Sequence, residues 1–219
     1  MDFYPQLQQA TAADRAALFS TPVITAALSG RVSRQHYLDF LTRAFHHVKH
    51  TVPLMMACGA RLSDRQEWLR SAIAHYIEEE LGHHEWILND IAAAGGDAEA
   101  VRVSHPDFDT DAMVAYAYDT VMRRNPVGFF GMVYVLEGTS VSLASNAAHA
   151  LQEGLGLPPS AFTYLSSHGT LDQEHIGDFE QLVNRLDAQD DRDAVVRNAR
   201  TFFRLYGNVL RSIDPQENT

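Results

Sequence analysis

Apolar residues recur at three- and four-residue steps from one end of this 219-residue chain to the other, and nothing reads as a strand-rich region. That pattern restricts the fold to packed helices. Ser20-Thr21-Pro22 reads as a cap with proline in the first turn, and Gly30 closes that short helix. Ser33 opens a segment reaching about Leu62, with Tyr37, Phe40, Leu41, Phe45, Val48 and Val52 at helical steps and Pro53 as an internal kink or break. Ser63-Asp64 caps the next helix, which runs to Gly95-Gly96 as the longest clean pattern. A loop from Ala100 to Asp109 follows, then helices from about Asp111 to Arg124 and from Asn125-Pro126 to Gly154. Beyond the connection Leu157-Pro158-Pro159-Ser160, two more helices are expected, one containing His168 to Leu186 and one from Asp190 to Ile213, before a frayed tail from Pro215 to Thr219. With no repeat and no dividing linker, the expectation is one all-α domain over residues 1–219, a compact bundle of about seven or eight helices.

Three places put ionisable side chains on faces that such a bundle buries. In Glu78-Glu79-Glu80-Leu81-Gly82-His83-His84-Glu85-Trp86, the apolar stripe runs through Ile73, Ile77, Ile87, Leu88 and Ile91, and Glu80 falls in its middle. An ionised carboxylate on a core face needs something to pair with it. Glu80 and His83 form Glu-x-x-His, the spacing that sends both side chains to one metal in di-iron bundles. Periodicity alone favours His84 over His83, because His84 lies nearer the centre of the stripe; Gly82 could widen the helix locally and shift that register. His83 is taken for its spacing, with His84 left open.

The second place is His168-Gly-Thr-Leu-Asp172-Gln-Glu-His175, whose i, i+4 and i+7 positions leave one face of a helix. The third is Glu137, at the end of the apolar run Phe129-Phe130-Gly131-Met132-Val133-Tyr134-Val135-Leu136; an ion pair with Arg123 is its alternative use. Glu80, His83, Glu137, His168, Asp172 and His175 thus give three carboxylates and three imidazoles on three helices. Two ferrous ions carry four positive charges, which three carboxylates largely offset. Imidazole with carboxylate suits iron or manganese, and the lack of thiolates argues against structural zinc.

The order Glu-x-x-His, then an isolated Glu-Gly after an apolar helix, then His-x3-Asp-x2-His, resembles the haem-oxygenase-like di-iron oxidases, fold relatives of TenA and PqqC. The resemblance spans about residues 35 to 185. It implies an up-and-down helical bundle with a central cavity, the same six residues as ligands of two loosely held irons, and dioxygen as co-substrate. It further implies oxidation of an amino-acid-like or fatty-acid-like small molecule. Phe45-His46-His47-Val48-Lys49-His50-Thr51-Val52-Pro53 looks like the family's cavity-lining second helix. In it His47 or His50 stands where haem ligation can be considered, and Lys49 where a substrate carboxylate can.

Two other classes compete. A cofactor-free enzyme of the TenA or PqqC type would take Cys58 as nucleophile, although a small cysteine beside Met55 and Met56 is ordinary core. A non-catalytic helical protein would use the cavity for a ligand alone. Net charge of −11 and the absence of a basic stripe speak against nucleic acid. No apolar run approaches the roughly 20 residues of a membrane span, and the first residues lack a signal-peptide pattern. With one cysteine, a cytoplasmic protein is expected, with homodimerisation through outer helix faces.

Overall fold

The computed structural model describes residues 2–213 and, within them, every side chain except those of 144–146 and 168–175. Among these residues there are twelve α-helices and no strand. The expected count of seven or eight was too low, and each discrepancy has a local cause.

At the N-terminus, α1 (Phe3–Ala10) and α2 (Ala12–Phe19) are each eight residues long, too short to display a periodic stripe over several turns. The helix expected after Pro22 is present as α3 (Pro22–Leu28), closed by Gly30 in the left-handed region. The segment expected from Ser33 to Leu62 divides into α4 (Arg34–Val48) and α5 (Thr51–Arg61). The division falls upstream of Pro53. Proline is tolerated in the first turn of a helix, where its missing N–H has no partner to lose, but its ring excludes a helical carbonyl four residues earlier. The pattern from Ser63 to Gly96 is also two helices, α6 (Glu67–Glu80) and α7 (His83–Ala93), separated at Leu81-Gly82. The expected loop of residues 100–109 contains most of α8 (Ala98–Val103), which Asp97 caps by accepting the Ala100 N–H.

The remaining helices fall near their expected places: α9 (Phe108–Arg123), α10 (Phe129–Leu155), α11 (Thr163–Asn184) and α12 (Gln189–Arg211). The 27-residue α10 is the central element and packs on α3, α11 and α12. Gly131 permits its closest approach, since a Cβ there would lie 2.5 Å from the Ala199 backbone nitrogen and 2.6 Å from the Val195 carbonyl oxygen of α12. Pro126–Leu143 is apolar and long enough to cross a membrane by composition, yet 56% of it is buried inside the protein. It is the core helix of this bundle.

Helices α4 and α7 lie side by side and run in opposite directions. At one end the Arg34 guanidinium donates to the Gly95 carbonyl (2.7 Å), and at the other the Phe45 ring faces His84 with centroids 6.4 Å apart. Two buried contacts fix the start of α11 against this pair. Asp90 of α7, fully buried, accepts the Thr163 and Tyr164 N–H groups at 3.1 and 2.8 Å. The Tyr37 hydroxyl of α4 donates to the Ala161 carbonyl at 2.7 Å. Through these contacts the helix carrying His168, Asp172 and His175 is tied to α4 and to the helix carrying His83.

Candidate metal centre and its cavity

Glu80 is the last residue of α6 and His83 the first of α7, so the pair straddles a break in the chain's direction. Gly82 makes the break with φ of 90°, a conformation that a side chain resists and glycine adopts freely. The turn swings His83 inward and His84 outward. His83 is 3% exposed, and its Nδ1 lies 3.1 Å from Glu80 Oε2. The His84 side chain is 38% exposed and faces Glu85 at 3.4 Å. The stripe on an uninterrupted helix placed His84 nearer the core, but that wheel does not continue through Gly82.

Glu80 and Glu137 both line one cavity of about 170 Å³ walled by residues of α3, α4, α5, α6, α10, α11 and α12. A space of about 150 Å³ accommodates benzene in an engineered protein, so this one takes a small organic molecule. Its wall is mainly aliphatic and aromatic, and no lysine or arginine lines it among the described residues. Glu137 does not pair with Arg123, which lies on the surface with Asp119 at 3.2 Å.

The chemistry of the donors fits a metal ion in one measurable respect. Two ligands bound at right angles to one ion, each at about 2.1 Å, sit about 3 Å from each other. Glu80 Oε2 and His83 Nδ1 have that separation, which is also that of a direct hydrogen bond between them, on side chains only 10% and 4% exposed. Among the described residues, no three histidine, cysteine, aspartate or glutamate side chains converge closely enough to hold an ion. The backbone of residues 168–175 is helical within α11, whereas the side chains of His168, Asp172 and His175 lie outside the described residues. The structure therefore brings together Glu80 and His83 and sets Glu137 on the same cavity; the other three positions share one helix.

The histidines around Lys49 separate into two groups. His46 contacts Ser104 (2.9 Å) and Lys49 (3.1 Å), and His50 contacts the Tyr118 hydroxyl (3.1 Å). Neither lines the cavity, and Lys49 stands over the Phe45 ring at 5.1 Å, also outside the described wall. His47 does line it, buried at 4% exposure with its ring set edge-on to Tyr206. Burial pushes the His47 imidazole down to about 4, so it is neutral at neutral pH, and its Nδ1 has no hydrogen-bond partner among the described residues. Burial likewise raises the Tyr206 hydroxyl to about 12.

Sequence reading missed His36, Tyr164, Tyr206 and Thr139 in this wall. One signal was available for His36. It occupies the third position after the cap Ser33, where glutamate or glutamine ordinarily completes a capping box. The others depend on how helices pack and left no trace in spacing.

A sequence model of the family described as iron-containing redox enzymes matches residues 38–207 of the chain. No curated protein matches it. Among solved structures, a domain of unknown function with a haem-oxygenase-like fold from Shewanella denitrificans is 26% identical, with a TM-score of 0.87 over 97% of this chain and 92% of that one. A TenA homologue from Pseudomonas syringae superposes with a TM-score of 0.80 at 13% identity, over 96% and 92% of the two chains. Haem oxygenase-1 from the cyanobacterium Synechocystis, in complex with haem, gives 0.75 at 14% identity over 98% and 93%. The last two likenesses concern the fold alone.

Proposed function

This chain belongs to the iron-containing redox enzymes of haem-oxygenase-like fold, and from that premise we propose that it is a di-iron oxidase or oxygenase that spends dioxygen on a small organic substrate. Glu80, His83, Glu137, His168, Asp172 and His175 would hold the two ions. The observation that carries the reading is the buried Glu80–His83 pair at 3.1 Å, built by a left-handed glycine turn, with Glu80 opening on an apolar cavity that Glu137 shares.

Bound ferrous iron would supply the electrons for dioxygen reduction. The chain's own residues have other work. Glu80 and Glu137 bring carboxyl groups to a mainly apolar cavity, where their attraction for a bound cation would be stronger than in water. The wall's aliphatic side chains hold the body of the substrate. His47, neutral at neutral pH, offers a buried Nδ1 that can make a hydrogen bond to a substrate or accept a proton from it.

Cys58 does not favour a thiol-nucleophile enzyme. It is fully buried, its thiol donates to the Pro126 carbonyl at 3.3 Å, and burial pushes it up to about 12. Such a thiol is protonated at neutral pH, and it lies outside the described cavity wall.

The test is anaerobic incubation of purified protein with Fe(II), followed by metal analysis and exposure to oxygen. Stoichiometric iron followed by oxygen uptake and a transient visible absorbance supports the reading. Protein that takes up no iron contradicts it, and a Soret band on haem addition without iron binding would assign the cavity to haem instead.

A further inference from the structure

The wall of the cavity contains a hydrogen-bond donor that none of the described residues uses. His36 is 5% exposed and sits in the first turn of α4. Its Nδ1 accepts the Ser33 backbone N–H at 3.1 Å, while the His36 N–H is accepted by the Ser33 hydroxyl at 3.2 Å. With Nδ1 committed as an acceptor, the neutral ring carries its hydrogen on Nε2. That Nε2 is buried, has no partner among the described residues, and belongs to a side chain of the cavity wall.

A second capping box in the same chain shows what the spare end of such a residue does. Gln66 accepts the Ser63 N–H through Oε1 at 3.1 Å, and its amide nitrogen donates to Asp191 Oδ2 at 2.9 Å. One end closes the helix start and the other donates to a buried acceptor. His36 has the first contact and, among the described residues, lacks the second. A buried donor without an acceptor is costly, so the acceptor belongs to whatever occupies the cavity.

The position of His36 says where in the wall that occupant is held. Phe45, near the far end of α4, lies beside His84 and so marks the level of the Glu80–His83 pair. Nine residues of helix separate His36 from Phe45, about 14 Å at 1.5 Å per residue. Inward-reaching side chains shorten that gap, and the wall along it is aliphatic and aromatic. An anionic end is disfavoured, since the wall is mainly apolar and no lysine or arginine lines it among the described residues.

We infer that the cavity binds a small uncharged aliphatic molecule, not much bulkier than benzene, whose carbonyl oxygen accepts a hydrogen bond from His36 Nε2, with its short hydrocarbon body directed toward Glu80 and Glu137. The inference rests on the proposed function only in making the far end of that body the reacting end.

Calorimetric titration of metal-free protein with 2-pentanone and with butanoate tests it. The ketone binds, and butanoate binds at least about tenfold more weakly. His36→Phe, which removes both nitrogens, and His36→Glu, which keeps an acceptor for the Ser33 N–H but has no hydrogen to donate, each weaken ketone binding by about tenfold. Thermal melts of the two variants confirm that they are folded, and His36→Glu retains the cap if His36→Phe does not fold. No ketone binding, butanoate binding as tight as the ketone, or a folded variant that binds the ketone like wild type overturns the inference. Iron uptake measured on the same samples keeps the two readings apart: ketone binding that depends on His36 in a protein that never takes iron would sink the metal centre and leave this site standing.

Discussion

Glu80 Oε2 lies 3.1 Å from His83 Nδ1 although the two residues belong to different helices. Within one continuous helix, residues three apart are neighbours on the surface. Here the neighbourhood is made by a turn. Leu81 is extended, Gly82 is left-handed, and α7 starts afresh at His83. Because a Cβ at Gly82 would meet nothing within 4 Å, the position demands glycine for its backbone angle alone.

Gly82→Ala should therefore cost about 1–2 kcal/mol of stability through backbone strain. It should also lower iron uptake by displacing His83 from Glu80. Melting temperature and bound iron on one preparation check both. A variant that is destabilised yet loads iron fully would show that the turn does not set the metal pair.

His83→Ala and His84→Ala separate the two histidines that the sequence left open. The exposed His84 should be dispensable, with iron stoichiometry unchanged, whereas His83→Ala should reduce it markedly. The reverse pattern would mean that a helix continuous through Gly82, not the broken one, is the working form.

Much of the fold was legible because long amphipathic helices announce themselves: α9 to α12 begin and end within a few residues of their expected limits. What escaped were interruptions shorter than the period being read. Gly82 occupies one position in a stripe otherwise continuous from Ile73 to Ile91, and only its backbone angle reveals the break. Pro53 announced a break but not its place, since proline acts on the carbonyl four residues before it. In the site, charge on a core face identified Glu80 and Glu137, both now on the cavity. His36 escaped because an N-terminal cap position suggests a purely local role.

Asp90 should prove a positioning residue for α11. Asp90→Ala leaves the Thr163 and Tyr164 N–H groups without their acceptors, at a cost of about 2 kcal/mol. Asp90→Asn keeps one acceptor oxygen and should lose less. Chemical denaturation measures the difference, and equal losses in the two variants would contradict the capping role.

The neutral, buried His47 gives stability a pH dependence of known sign. Its imidazole falls from 6.5 in the unfolded chain to about 4 in the folded protein, chiefly through burial. Between those values the unfolded state binds the extra proton, so His47's contribution is complete above about pH 6.5 and declines as pH falls toward 4. The contribution is on the order of 3 kcal/mol at one pKa unit per 1.36 kcal/mol. Melting temperature should drop between pH 7 and pH 5 in wild type and drop less in His47→Phe. Parallel curves for the two proteins would refute the assignment.

The central claim is that Glu80 and His83 share a metal centre with residues of α10 and α11. Anaerobic Fe(II) titration of wild type beside Glu80→Ala, Glu137→Ala and Asp172→Ala tests it most directly. The account predicts two irons per wild-type chain and a clear loss of bound iron in each variant, with all four proteins folded. Wild type that binds no iron, or three variants that load like wild type, would contradict it.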